Sequence, residues 1–389
     1  IKPSYAQQRL ERMILKGFTY QKGVVVDAFT TIPARCYPGN KRILWKPSKI
    51  DEGTLHVYHM GFINLLIVKQ LLQFFGAFFY ACRWMIQNRK TRNKVVLSYS
   101  INPPVTLGVL LAAKLFKCKS SMIVSELPQF RIYLNQQSLL RKILLSLMVK
   151  VSCNLHQWFD GYVVLTEYMN QAINEKDKPS IVIEGMVDFD EVSNNHAGDE
   201  DLNVTENSGK RVIMYAGSLQ RKYGIENLIK AFRELKGDNL ALWIFGSGDF
   251  EKETVQFAQE DSRIQYFGMV PNREILKREK TVTLLVNPRP TVDEYTRYSF
   301  PSKTLEYMSS GTPVLTTRLR GIPREYEPYV FWIERDDIGG VKESLERLLQ
   351  FEPVKLRQFG SKARDFVVSN KNSVVQVRRL VESLKRLSD

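Results

Sequence analysis

The stretch Arg297–Leu315, RYSFPSKTLEYMSSGTPVL, combines a Ser-Phe-Pro-Ser-Lys run, a single Glu and a Gly-Thr-Pro stop. A helix starting here exposes N–H groups that have no intrahelical partner, and such groups hold phosphate or sugar hydroxyls. Ser299 or Phe300 is expected to cap it, with Pro301 near its first position, where a missing N–H costs nothing. Lys303 adds positive charge. Glu306 lies one helical step beyond Ser302, on the same face, and can accept two hydroxyl donors such as a ribose diol. Leu305 and Met308 share another face and belong in a core, and Gly311 and Pro313 end the helix. A solvated helix would tolerate the same Lys and Glu, so the stretch gains chemistry only in company.

That company stands at other strand ends. In VIMYAGSLQRKYGIENLIKAF an apolar strand ends at Ala216, followed by Gly217, Ser218, the basic pair Arg221 and Lys222, and Gly224 at a helix entry. A glycine lets the backbone approach a ligand, two cations suit a diphosphate, and a nearby helix start adds N–H donors. Gly246 in IFGSGDF, and Gly268 with Met269 in YFGMVP, end two further strands. Each is weak by itself, since a tight turn reads the same way; together they describe strand ends kept clear of side chains.

These ends need strands and helices behind them. Short, near-continuous apolar runs appear at Gly23–Ala28, Leu55–His59, Lys94–Tyr99, Ser121–Ser125 and Gly161–Thr166. In the second half they appear at Arg211–Ala216, Ala241–Phe245, Ile264–Phe267, Val282–Asn287 and Pro313–Thr316. Such runs fit strands covered on both faces, and helical segments such as Gly224–Leu235 and Arg273–Glu279 alternate with them. The alternation predicts α/β domains with parallel sheets. Residues 190–210 are polar and Asn/Asp/Gly-rich, which predicts a linker between domains 1–189 and 211–371. The tail reads as two helices, the last within 372–389 and expected to leave the second domain. The chain opens on Ile1, not Met, so a preceding native segment is expected, and a first strand is expected to be missing.

Charge divides at the same place. Residues 1–185 hold 25 Lys and Arg against 10 Asp and Glu, and the remainder carries equal numbers, so the net +15 belongs to the first half. Without a helix-turn-helix, RNP-like or zinc-finger pattern, this points to an anionic membrane surface or anionic substrate and away from nucleic acid. Two apolar stretches, Met60–Cys82 and Leu139–Phe159, are packed helices that can also lay an apolar face on lipid with cations at the head groups. Cys36, Cys82, Cys118 and Cys153 form no CxxC, and the four histidines have no ligand spacing, so neither a disulfide framework nor a metal site is expected. Asp188-Phe189-Asp190 fits an Asp-x-Asp string but sits at the linker and reads as an interdomain turn.

Taken in order, YAGSLQRKYGIENLIKAF, FPSKTLEYMSSGTPVLT, FDGYVVLTEYM and IVIEGMVD resemble glycosyltransferase family 4, in its branch that builds bacterial surface polysaccharides. The resemblance spans roughly residues 95–350. It implies a GT-B fold, two Rossmann-like doubly wound parallel-sheet domains facing a cleft. It also implies a retaining, metal-independent hexosyltransferase without cofactors, using a nucleotide-sugar donor and a polyprenyl-diphosphate-linked or other glycan acceptor, peripheral on the inner membrane face. By the same resemblance Glu306 binds ribose, and Arg221 or Lys222 neutralises the diphosphate. Tyr298 stands where the family has its first Glu. Sugar contacts then fall to the backbone around Ser299, Phe300, Pro301, Ser302 and Lys303, to the Tyr298 hydroxyl, or to Glu294. Glu126, after the strand of MIVSELPQF, falls where similar enzymes carry a residue near sugar and acceptor; a loop acid or helix cap would read the same way. The rival reading is a non-catalytic, glycosyltransferase-like subunit that binds lipid or a partner.

Overall fold

A computed structural model describes residues 5–32, 34–99, 102–127, 150–151, 154–194 and 209–389. The chain forms two units, one of residues 1–184 with 373–389, the other of residues 185–372. The stretch Leu139–Phe159 and the linker expected over 190–210 lie largely outside the described residues; of the linker, residues up to Asn194 are helical.

The first unit starts with helix α1 (Tyr5–Thr19) and strands β1 (Val26–Thr30), β2 (Leu44–Trp45), β3 (Ser48–Glu52), β4 (Leu55–His59) and β5 (Phe62–Ile63). Helix α2 (Leu66–Gln87), β6 (Val95–Tyr99), α3 (Pro103–Leu115), β7 (Lys119–Val124), β8 (Gly161–Val164), α4 (Glu167–Ile173) and β9 (Ser180–Val182) follow. β6-β7-β8-β9 form a four-stranded parallel sheet, whereas β1-β4-β3 form a separate small sheet and β2 pairs antiparallel with β5. β2, β3 and β5 escape a search for apolar runs because they are two-residue pieces or, in β3, fully exposed.

The second unit holds α5 (Phe189–Asn194), β10 (Arg211–Ala216), α6 (Ile225–Arg233), β11 (Leu240–Phe245), α7 (Glu251–Glu260), β12 (Ile264–Gly268) and α8 (Asn272–Glu279). It continues through β13 (Leu284–Asn287), α9 (Ser302–Ser309), β14 (Val314–Thr317), β15 (Phe331–Ile333), α10 (Ile338–Leu349) and α11 (Pro353–Asn370). Its six strands run parallel in the order β12-β11-β10-β13-β14-β15.

Alternation within β10 shows how the sheet is covered. Ile213 and Tyr215 join the core beneath α6 and α10, with Leu228, Phe232, Val341 and Leu345. Val212, Met214 and Ala216 join the opposite core, with Leu305 and Met308 of α9 and Val367 of α11. Fully burying one such side chain contributes about 1.5–3 kcal/mol, so both faces need apolar residues and the strands read as unbroken apolar runs. The last helix, α12 (Ser373–Ser388), returns to the first unit. It packs on α1 and against β6, β7 and β9, and Gln21 donates its side-chain amide to the Val374 carbonyl at 3.0 Å.

Candidate nucleotide-sugar site

The chain leaves β10 toward β11 and β12, then returns to place β13 on β10's other edge. Winding reverses between β10 and β13, and ligands of open parallel sheets bind beyond the carboxyl ends of the strands at such a reversal. Two loops leave these ends, residues 217–224 after β10 and residues 288–301 after β13. They touch where Gly224, at φ 78°, approaches Pro288; a β-carbon there would collide with the Pro288 carbonyl oxygen. Gly246, at φ 123°, ends β11 against Gly217 in the same way. The Gly217 N–H donates to the Phe245 carbonyl at 2.9 Å, and the Gly246 N–H to the Gly268 carbonyl at 2.8 Å, so three strand-end glycines form one backbone floor. Ser218 and Met269 stand exposed at its margin.

α9 lies over this floor. Its Tyr307 hydroxyl is buried, accepts from the Ala216 N–H at 2.9 Å and donates to the Ala216 carbonyl at 3.0 Å, fixing the helix to the end of β10. Burial raises the Tyr307 pKa far above its ordinary value, with Glu279 adding to the rise, so the hydroxyl stays protonated. The start of the helix differs from the expected cap: Pro301 is the N-cap residue and Ser302 opens the helix, because neither Ser299 nor Phe300 caps it with a side chain. The Phe300 side chain packs in the core, its ring centroid 5.5 Å from that of Tyr326, so only its backbone remains for a ligand. The Lys303 side chain runs over Gly217, where a β-carbon would meet its Cε at 2.6 Å. Glu306 is half-buried one turn further on, as is Tyr298 in the preceding 3-10 turn Glu294–Tyr298.

The two cations of the β10 loop part company. Arg221 is held by Glu226 at 2.6 Å and Glu253 at 2.5 Å, with its guanidinium 4.4 Å from the Phe250 ring. Of the two cations expected near a diphosphate, Arg221 is therefore the one matched by two carboxylates. Lys222 turns the other way, 5.3 Å from the Tyr223 ring and 5.5 Å from the Tyr295 ring.

A cation that sequence reasoning missed shares those rings. Arg289 lies 5.1 Å from Tyr223 and 4.7 Å from Tyr295. It has no carboxylate partner among the described residues, and its Nε is buried without a hydrogen bond. The Tyr295 hydroxyl, within reach of Arg289, and Ser299 Oγ, in the same loop, are likewise buried without a well-aligned hydrogen bond. Burial raises the Tyr295 pKa against the pull of Arg289 and Lys222. Buried polar atoms with unused hydrogen-bonding capacity are uncommon, and three fall within this eleven-residue stretch, where a water or a polar ligand can meet them. The available signal was the same one used for β10, a cation directly after a strand end in VNPRP. Glu126 belongs to the other unit, where it is exposed two residues beyond β7.

Clustered cations, backbone glycines and a helix start suit a diphosphate. A half-buried Glu on the same helix suits a diol. The architecture is the GT-B fold, two Rossmann-like α/β units. Residues 199–366 match the family described as Glycosyl transferases group 1. A probable glycosyltransferase, WbjE of Pseudomonas aeruginosa, is 29% identical over 220 residues. That match takes in 54% of each chain, so the chain spans about half the length of this curated relative. A sucrose-phosphate synthase from Thermosynechococcus elongatus superposes with a TM-score of 0.63 at 15% identity, over 98% of this chain and 93% of its own. Anabaena Alr3699/HepE, solved in complex with UDP, gives 0.59 at 13% identity, over 85% and 86%. A UDP-forming trehalose-phosphate synthase from Burkholderia xenovorans gives 0.64 at 12% identity, over 93% and 94%.

Proposed function

We propose that the chain is a retaining, metal-independent glycosyltransferase of family 4 that takes a hexose-type sugar from a UDP-sugar. The acceptor in this reading is a lipid-diphosphate-linked oligosaccharide at the inner face of the cell membrane, in the synthesis of a bacterial surface polysaccharide. The observation that carries it is the group of buried polar side chains Arg289, Tyr295 and Ser299 beside the glycine floor of β10. The family match over this unit and the UDP held by a neighbour of the same fold support the donor class. The basic first half supports the membrane and the anionic acceptor.

Lys222, Lys303 and Arg289 face the diphosphate, Glu306 takes the ribose hydroxyls, and the backbone of residues 299–303 meets the sugar. The bond from the anomeric carbon to the diphosphate oxygen breaks, an acceptor oxygen bonds to the same face of that carbon, and the hydroxyl proton passes to a diphosphate oxygen. The cations stabilise the charge on the leaving group. Glu126 is assigned to the acceptor side, where it orients the hydroxyl.

Screening UDP- and GDP-sugars for thermal stabilisation, then assaying transfer, tests the reading. One UDP-sugar should raise the melting temperature and be consumed with acceptor, and Glu306→Ala and Lys222→Ala should each cut transfer at least about a hundredfold. Near-full activity in both variants would remove this site. Binding without turnover on any acceptor would favour a non-catalytic subunit.

A further inference from the structure

Helix α2 buries Ala77, Ala81 and Met85 over its later turns, but its first turns bury polar side chains while a row of large apolar ones faces outward. Its inward side carries Lys69, 7% exposed, and Gln73, 4% exposed. Lys69 donates to the Ala34 carbonyl at 2.6 Å and lies 4.9 Å from the Phe62 ring. Just before the helix, Asn64 is fully buried and donates to the carbonyls of Arg35 and Arg42. The outward side carries Ile67 at 72%, Leu71 at 52%, Phe75 at 49% and Phe79 at 63% exposure. Residues three and four apart share a helix face, so these form one stripe, which Ile86 extends to the last turn. Strand pairing lengthens it: β5 leads into α2, and Ile63 stands opposite Leu44, both exposed. Packing in water favours turning such large aromatic and aliphatic side chains inward.

We infer that this face is where the chain docks onto an anionic phospholipid bilayer, lying in the interface with α2 parallel to the surface. The inference rests on the membrane reading above and gives it a place on the molecule. α2 contains no Asp or Glu, and residues 34–99 hold 11 Lys and Arg against 2 Asp and Glu. Lys41, Arg42 and Lys46 are exposed near one end of the stripe, Arg83, Arg89 and Lys90 near the other. Apolar side chains framed by cations match acyl chains beneath anionic head groups. A second copy of the chain would bring the same cations face to face, which opposes pairing through this surface. No helix among the described residues is long and apolar enough to cross a membrane, which fits a helix lying on one.

Flotation of the full chain with phosphatidylglycerol-rich vesicles, against pure phosphatidylcholine vesicles, tests this. The wild type should float with the anionic vesicles, and raised salt should release it. Phe75→Ser with Phe79→Ser should weaken that binding by about a hundredfold, near tenfold per ring. Val354→Ser, an equally exposed apolar site on α11, should bind as wild type does. If the ring variant fails to fold, Leu71→Gln with Ile86→Gln probes both ends of the stripe. A wild type that floats with neither vesicle removes the membrane reading altogether. A double variant that floats like wild type removes only this face. A dimer in solution that the double variant dissolves would make the face a copy–copy interface and overturn the proposal. UDP titration without lipid reports on the donor site separately.

Discussion

At the scale of single residues, neighbours decide which cation serves a ligand. Arg221 and Lys222 are adjacent and look interchangeable in sequence, yet Glu226 and Glu253 hold Arg221, while Lys222 joins Arg289 against the rings of Tyr223 and Tyr295. A hydrogen bond to a charged group contributes about 1.5–3 kcal/mol. Arg289→Ala and Lys303→Ala should therefore each weaken UDP binding by about ten- to a hundredfold in calorimetric titration. Arg221→Ala should leave UDP affinity within about threefold, because exposed ion pairs are worth little and its loss touches α6 and α7 instead. The reverse ranking would return the diphosphate to Arg221. Arg289 was legible only in outline. A cation after a strand end is visible in VNPRP, but its lack of a carboxylate partner depends on residues far from it in the chain.

At the scale of elements, one hydroxyl ties α9 to the end of β10 beside the core contacts of Leu305 and Met308. Tyr307→Phe leaves the buried Ala216 N–H and carbonyl without that partner, which should lower stability by about 1–3 kcal/mol. Urea unfolding measures the loss, and UDP affinity should fall with it because Lys303 and Glu306 ride on the same helix. An unchanged midpoint would mean that core contacts of Leu305 and Met308 suffice. The sequence foretold the helix, its Gly311 stop and its core face. It misplaced the start, since Pro301 serves as the N-cap residue and not as the first helical residue. The strands buried on both faces were readable for the same reason that they are stable, being unbroken apolar runs. β15, with three residues, was too short to stand out.

At the scale of the whole molecule, the last helix belongs to the first unit. Ending the chain after Asn372 should expose α1 and β6–β9 to hydrogen exchange while leaving β10–β14 protected, since α12 packs on α1, β6, β7 and β9. Simultaneous loss in both units would show that they unfold together. pH offers a second handle on the first unit. His156 is buried, its Nε2 has no hydrogen-bond partner, and burial lowers its pKa from 6.5 to about 4. The unfolded chain therefore binds a proton that the folded chain refuses between these values. The neutral-imidazole contribution is fully present above pH 6.5 and is lost as pH falls toward 4, on the order of 3 kcal/mol. His156→Leu should flatten the acid side of the melting-temperature profile relative to wild type.

What the sequence determined by itself was everything that depends on local pattern. Apolar runs and their spacing set two α/β units, strand-end glycines marked where backbone segments of the second meet closely, and the charge count made the first half basic. Tertiary structure decided which groups are left without partners and which faces are left uncovered. Arg289 stands beside two tyrosine rings with no carboxylate partner among the described residues, and α2 turns Lys69 in to the Ala34 carbonyl while large apolar side chains stand outward. Both outcomes rest on long-range pairing, which residue type and spacing along a chain do not encode.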